Sequence, residues 1–343
     1  MVLVTGGTGF VGAHLLFKLL NEKQTVRAIY RNKKKFDIVK RIFSYYSKDA
    51  EALFNTVDWV KADLNDIPAL TQAFKDITHV YHCAAFVSFE PDKFDVLHKT
   101  NIEGTANIVN FCVFNNITKL CYTSSIAAIG KPKPGEITTE NTAWNPEADN
   151  SVYAITKYGA ELEVWRGTQE GLNAVIINPG VIIGPGIWNY GSGSIIKTVH
   201  NGLKYYTKGS VGYVAVNDVV NTMVLLMQSE VKNERFIIVS NNWSYKKFLT
   251  ICAKALGVKS PKKEAKMWLL QVGWRLDWLT HKLTGKRRKL TKQLADSLVS
   301  QSQFNGDKIK AFVDFEYSNL EGEIKKTCGF YLKKINLFFK ALH

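Results

Sequence analysis

The stretch Thr5-Gly6-Gly7-Thr8-Gly9-Phe10-Val11-Gly12 decides how this chain is read. It follows the short apolar run Met1–Thr5, which has the look of a buried strand. It precedes Val11–Asn21, where Val11, Leu15, Leu16 and Leu19 recur at helical spacing. Gly6, Gly9 and Gly12 are spaced GxxGxxG, and Gly7, Gly9 and Gly12 also satisfy GxGxxG. Small residues at these places make the tight turn, let the backbone approach a pyrophosphate, and let the helix pack on the strand. The start of the helix then presents free N–H groups and the positive end of its dipole to the phosphates. A glycine triplet alone is a weak signal. Between a strand and an amphipathic helix it is a dinucleotide-binding fingerprint.

Outward from this turn, strands and helices alternate. Val26–Tyr30, Val57–Val60, His79–Cys83, Lys119–Thr123 and Ala174–Asn178 read as strands, with helices at Asn101–Asn115 and Val152–Thr168 among the segments between them. That alternation predicts an α/β fold, a doubly wound parallel Rossmann sheet with right-handed crossovers. From Pro179 to Gly212 the pattern is irregular and glycine-rich. Tyr213–Val216 and Phe236–Val239 are later strands that could return to the sheet, and the remainder is mixed and helix-rich. The expected division is a nucleotide-binding domain of residues 1–184 and 211–240, with a smaller, helix-rich C-terminal substrate domain of residues 185–210 and 241–343.

The 343 residues are 46% apolar and 22% charged, close to globular averages, which excludes disordered, collagenous and coiled-coil classes. No uninterrupted apolar stretch reaches the ~20 residues needed to span a bilayer. The N-terminus lacks a basic segment followed by a small-residue cleavage site, so no signal peptide is expected. Cys83, Cys112, Cys121, Cys252 and Cys328 are an odd, scattered set with no CxxC, which argues against a disulfide framework and against a zinc or other metal site. A cytoplasmic location fits best. The net charge of +15 is uneven: residues 241–343 hold 21 Lys/Arg against 8 Asp/Glu, a net of +13, leaving +2 for the first 240. A solvated basic face, an anionic membrane surface and nucleic acid all suit such a charge. No nucleic-acid-binding signature accompanies it, so no nucleic-acid partner is expected.

The second strand ends at Tyr30-Arg31, 19 residues after Gly12, where an acidic side chain would bond the adenosine ribose of NAD. A guanidinium there suits the 2′-phosphate of NADP, so NADP (NADPH) is expected over NAD. Tyr153-Ala-Ile-Thr-Lys157 is YxxxK, and on a helix that spacing puts both side chains on one face. Free tyrosine has a pKa of about 10, and a nearby ammonium would lower it toward useful acid–base range. Tyr30–Lys34 has the same spacing, but at a strand end and loop. The fifth strand ends in Ser124-Ser125, where a hydroxyl points into the ligand crevice and Ser125 can bond a substrate oxygen.

These residues, with Asp63-Leu64, His82–Ala85, Asn101–Thr105, Gly130, Glu161 and Asn178–Pro185, resemble the extended short-chain dehydrogenase/reductase family, the NAD(P)-dependent epimerase/dehydratase group. The likeness is greatest to its dihydroflavonol-reductase-like and 3β-hydroxysteroid-dehydrogenase-like members. The resemblance implies Ser125, Tyr153 and Lys157 as the catalytic set, with Asn101 a supporting candidate that reads equally well as a helix N-cap. It implies a cofactor held by Gly6, Gly7, Thr8, Gly9, Phe10, Val11, Gly12, Arg31, Asp63, Leu64, Ala84, Ala85, Ser124, Tyr153, Lys157, Pro179 and Val181. It also implies a homodimer formed through helices Asn101–Asn115 and Val152–Thr168.

The substrate is less legible. Nucleotide-sugar enzymes of the family usually place an Arg before the strand at Tyr213–Val216, and here Val211 holds that position. A smaller or more apolar carbonyl or alcohol substrate follows. Met267–Leu279 is a helix-length run with three of the chain's eight tryptophans, and residues 282–292 add six Lys/Arg. The expectation is a helix packed on the Rossmann domain. The alternative is a lipophilic-substrate wall, or an interfacial helix giving peripheral membrane contact through residues 267–292. The leading reading is a reversible NAD(P)-dependent reductase of an apolar ketone or aldehyde, of steroid, terpenoid or flavonoid type. The alternatives are a nucleotide-sugar epimerase or dehydratase that retains its cofactor, and a non-catalytic dinucleotide-binding module.

Overall fold

The computed structural model describes residues 1–133, 135–286, 288 and 290–340, with the side chains of 337–340 outside the description. Arg287 and Lys289 of the basic run 282–292 therefore lie outside the described residues. In chain order the strands are β1 (Val2–Thr5), β2 (Val26–Tyr30), β3 (Asp58–Lys61), β4 (His79–His82), β5 (Lys119–Thr123), β6 (Ala174–Pro179), β7 (Val181–Ile183), β8 (Tyr205–Tyr206), β9 (Ser210–Ala215), β10 (Glu234–Ile238), β11 (Asn241–Ser244) and β12 (Lys263–Glu264).

Seven of them form a parallel sheet in the order β10-β6-β5-β4-β1-β2-β3. The inner strands β5 and β6 are buried along their whole length, as parallel strands covered on both faces must be. Helices Phe10–Asn21, Phe36–Ser44 and Val216–Gln228 cover one face through Leu15, Leu16, Leu19, Ile42, Phe43, Val219 and Met223. Helices Ile67–Ala73, Gly104–Phe114 and Val152–Gln169 cover the other through Leu70, Ile108, Val109, Ala160 and Val164. Each such buried side chain larger than alanine stabilises the fold by roughly 1.5–3 kcal/mol relative to exposure. The strand order reverses between β1 and β4, whose ends pair at Thr5 and His82. Ligands of open α/β sheets bind beyond the carboxyl ends of the strands at such a reversal.

Three expectations change. Of the two later strands only β10 returns to the large sheet, Phe236 pairing with Ile177 of β6. It takes the one free edge of β6, so β9 joins β7 and antiparallel β11 in a separate three-stranded sheet. Asn101 is not an N-cap: it is buried within a wide π-type turn, His98–Glu103, that runs straight into the helix Gly104–Phe114. The tryptophan-rich helix, Met267–Thr284, does not lie on the sheet's core. Its one buried residue is Leu270, which packs with Ala265 and Ala295 in a small outlying cluster flanked by Leu269, Trp274, Leu290 and Val299. Elsewhere the C-terminal region has a firm core of its own, where Phe248, Cys252, Ile324 and Cys328 meet Trp188, Ile196 and Val199.

Candidate active site

The turn after β1 is built as its sequence requires. Gly6 has φ +68°, a conformation glycine adopts freely, and a Cβ there would stand 2.6 Å from the Ala84 nitrogen. A Cβ on Gly12 would collide with the Gly6 carbonyl. Gly9 begins the helix Phe10–Asn21 in extended conformation with no side-chain cap, and the first turn carries no acidic residue. The N–H groups of the first helical turn have no partner within the helix, so they and the dipole are left for an anion. The cradle fits a dinucleotide pyrophosphate. Ala84 is tied to the strand end by its N–H donating to Thr5 Oγ1 at 3.2 Å. Arg31 follows β2 and reaches Asp63 Oδ2 at 3.4 Å, so the two residues expected at the adenosine end stand side by side. Leu64 is buried against Gly104, where a Cβ would come within 2.8 Å of Leu64 Cδ1. Ala85 is exposed, Pro179 ends β6 and Val181 begins β7.

Tyr153 lies in the first turn of the helix Val152–Gln169, which Ser151 caps by accepting from the Ala154 N–H at 3.2 Å. Burial pushes the Tyr153 phenol up to about 12, while the Ser125 hydroxyl beside it pulls the other way. The expected lowering by Lys157 is not found, because the ammonium is engaged elsewhere. Lys157 is only 1% exposed, and its Nζ donates to Tyr122 Oη at 2.6 Å and to the Thr123 carbonyl at 2.9 Å. Burial lowers its pKa to about 7, against the opposing effects of Glu161 and Cys83. Ser125 caps a short turn, its Oγ accepting from the Ala127 N–H at 3.1 Å.

Behind these groups runs a buried polar network that the sequence did not disclose. Asn178 Nδ2 donates both to the Ser125 carbonyl, at 2.9 Å, and to Glu161 Oε1, at 2.5 Å. Arg235 lies 3.4 Å from the other Glu161 oxygen and donates to the Glu140 carbonyl. Burial raises the Glu161 pKa, opposed by Ser124, Asn178, Arg235 and Lys157. On the other side, His82 shares hydrogen bonds with Thr5 at 2.6 Å and Thr105 at 2.9 Å, and stacks on Tyr122. Burial, with the Lys157 charge, pushes His82 down to about 3, so its ring is neutral. Asn101 clamps the loop after β4, accepting from the Phe86 N–H at 2.8 Å and donating to the Phe86 carbonyl at 3.0 Å. That loop carries Phe89, whose ring meets Tyr153 edge-on at 5.5 Å. A Tyr beside Leu120 and Cys121 in a wholly buried strand was the available signal for Tyr122, since a buried hydroxyl needs a partner.

Residues 2–239 match the NAD dependent epimerase/dehydratase family. The chain belongs to that family. It is an NAD(P)-dependent enzyme of the extended short-chain dehydrogenase/reductase type, as the resemblance implied. It is 31% identical over 280 residues to a putative dihydroflavonol 4-reductase of Synechocystis sp., covering 79% of this chain and 77% of that one. It is 26% identical over 265 residues to sterol demethylase protein B of Methylococcus capsulatus, covering 76% of each. In fold it is similar to a UDP-glucose 4-epimerase of Thermotoga maritima crystallised with UDP-glucose, with TM-score 0.76, 20% identity, and coverage of 97% of this chain and 99% of that one.

Proposed function

We propose that this family member is an NADPH-dependent reductase of an apolar ketone or aldehyde. The observation that carries this reading is the apolar contact at the acid–base group: Phe89 packs on Tyr153, and Val87, Phe94 and Val96 are exposed on the same loop and the short helix after it. A nicotinamide dinucleotide held in the Gly6–Gly12 cradle supplies the hydride. Tyr153, protonated at neutral pH, gives its proton to the carbonyl oxygen as the charge on that oxygen grows. The Ser125 hydroxyl bonds the same oxygen and orients it. Lys157, titrating near neutrality, places a positive charge behind the pair, and Asn178 fixes the Ser125 main chain from below. Arg31 selects the 2′-phosphate.

In the same reading residues 1–184 and 211–240 bind cofactor, and 185–210 and 241–343 shape the substrate pocket. The chain is cytoplasmic and pairs with a second copy through Phe114, Ile155 and Leu162, which are exposed on helices Gly104–Phe114 and Val152–Gln169. Among the described residues no helix is long and apolar enough to cross a membrane. The test offers NADPH and NADH to the purified chain with apolar ketones, aldehydes and steroids, beside UDP-sugars. Net NADPH oxidation with an apolar carbonyl is expected. Interconversion of a sugar nucleotide without net oxidation would replace this reading with an epimerase.

A further inference from the structure

We propose that the helix Met267–Thr284 is an interfacial helix that seats the mouth of the site on an anionic lipid bilayer, from which an apolar substrate enters. The proposal rests on the reductase reading for its access route alone; the surface stands without it. Trp268, Val272, Leu276, Leu279 and Leu283 follow one another at steps of four, four, three and four residues. At ~100° per residue they fall on one strip about 80° wide. All five are exposed, Trp268 by 65%, Leu276 by 59% and Leu283 by 76%. Leu270 and Trp274, which pack inward, lie on the opposite side of the helix. The strip thus faces directly away from the body of the protein.

Its charge says what covers it. Lys266 precedes the helix, Arg275 and Lys282 border the strip, and Lys286 and Lys292 follow, all exposed, within a C-terminal region of net +13. The Arg275 guanidinium lies over the Trp274 ring and the Lys282 ammonium over the Trp278 ring. An apolar strip with a tryptophan at its edge and a border of cations matches the headgroup boundary of an anionic leaflet. A second copy of this basic face would meet like charge instead.

Its place explains its use. Lys292 lies 3.9 Å from Asp149, which ties the following helix to the loop that leads into Tyr153. The 87–94 loop meets Tyr153 itself, through the Phe89 ring at 5.5 Å. That loop also carries the exposed Val87 and Phe94. The segment that follows the strip and the apolar loop thus both adjoin the stretch around Tyr153.

The experiment is flotation of the full chain with vesicles of phosphatidylcholine alone or of phosphatidylcholine with phosphatidylserine. Binding to the anionic vesicles is expected to exceed binding to the neutral ones by about tenfold or more and to fall with salt. The combined variant Trp268→Asp, Leu276→Asp, Leu283→Asp alters only exposed positions and is expected to stay unbound. It should keep its rate on a water-soluble aldehyde and lose about tenfold on an apolar ketone dissolved in anionic vesicles. Lys266→Glu, Lys282→Glu, Lys286→Glu should also abolish binding with the apolar strip intact. Wild-type protein that does not float, or an Asp variant that still floats, overturns the proposal. So does a wild-type dimer that ignores vesicles and becomes monomeric in the Asp variant, which would make the strip an interface between copies. Flotation lost in both variants, with no carbonyl reduced by any form, would keep the surface and remove the reductase reading.

Discussion

The chain contains YxxxK twice, at Tyr30–Lys34 and at Tyr153–Lys157, and the two copies share nothing but spacing. Tyr30 closes β2 with its ring edge-on to Phe36 and Trp59, and Lys34 sits in an exposed single turn, Lys33–Lys35. Tyr153 and Lys157 stand one turn apart on a long helix, with the lysine almost wholly buried. The lesson is that a motif's chemistry resides in the element that carries it and in what that element excludes from water. Burial moves Lys157 to about 7 and Tyr153 to about 12. The first copy contributes a different residue, Arg31, which lies inside it and in the proposed reading selects the 2′-phosphate.

The sharpest way to break this contrast is to delete one hydroxyl at a time. Tyr153→Phe is expected to lower kcat by about a thousandfold, the middle of the range for a positioned general acid, with NADPH affinity nearly unchanged. Tyr30→Phe should leave kcat within about a factor of two, because that ring serves packing. Steady-state NADPH oxidation measures both. Equal losses would mean that spacing rather than context makes the motif.

Arg31→Ala comes next. Losing a charged hydrogen bond to the 2′-phosphate costs about 1.5–3 kcal/mol, roughly a tenfold to hundredfold loss for NADPH. NADH affinity should barely move. Fluorescence titration of both cofactors reads the ratio, and an unchanged ratio removes Arg31 from cofactor choice.

The buried lysine also gives a stability signature. Its folded pKa lies below the unfolded value, so the unfolded chain binds more protons between about pH 7 and 10. Stability relative to Lys157→Met should therefore rise with pH across that window, by at most about 1.4 kcal/mol per unit. Denaturant midpoints of the two proteins at pH 7, 8 and 9 measure it, and parallel curves would show that Lys157 is not held near neutrality. Glu161 opposes the lowering. Glu161→Gln should thus shift the midpoint of the window further down and reduce kcat by about tenfold if its role is to position Lys157 and Asn178.

How much of this was legible follows the range of each interaction. The glycine turn, the parallel sheet and the Tyr153–Lys157 pair are local patterns, and each stands where its pattern put it. The partners of Lys157 were hidden because Tyr122 lies 35 residues away and Thr123 offers only its carbonyl. The Asn178–Glu161–Arg235 network likewise joins β6, β10 and the Tyr153 helix, which no spacing rule connects. The placement of β9 failed for a similar reason: the free edge of β6 admits one strand, and sequence pattern does not say which. The Met267–Thr284 helix was expected to pack inward because apolar content suggests burial, but the large core was already filled by helices from both halves of the Rossmann unit.

The smallest effect belongs to the first copy's remaining residues. Asn32 caps the Lys33–Lys35 turn, its Oδ1 accepting from the Lys34 N–H at 2.9 Å. Asn32→Ala should cost about 1 kcal/mol or less, since the turn is short and solvated. Yet this cap holds the backbone just after Arg31. If Arg31 reads the 2′-phosphate from a fixed position, Asn32→Ala should weaken NADPH by about twofold to threefold and leave NADH alone, a loss visible in affinity though nearly silent in stability. If both cofactors weaken together, the turn supports the adenosine site as a whole. If neither changes, Arg31 finds the phosphate from a flexible stem. Only the first outcome makes the Tyr30–Lys34 copy a structural part of cofactor choice, the counterpart of the proton transfer proposed for the Tyr153–Lys157 copy.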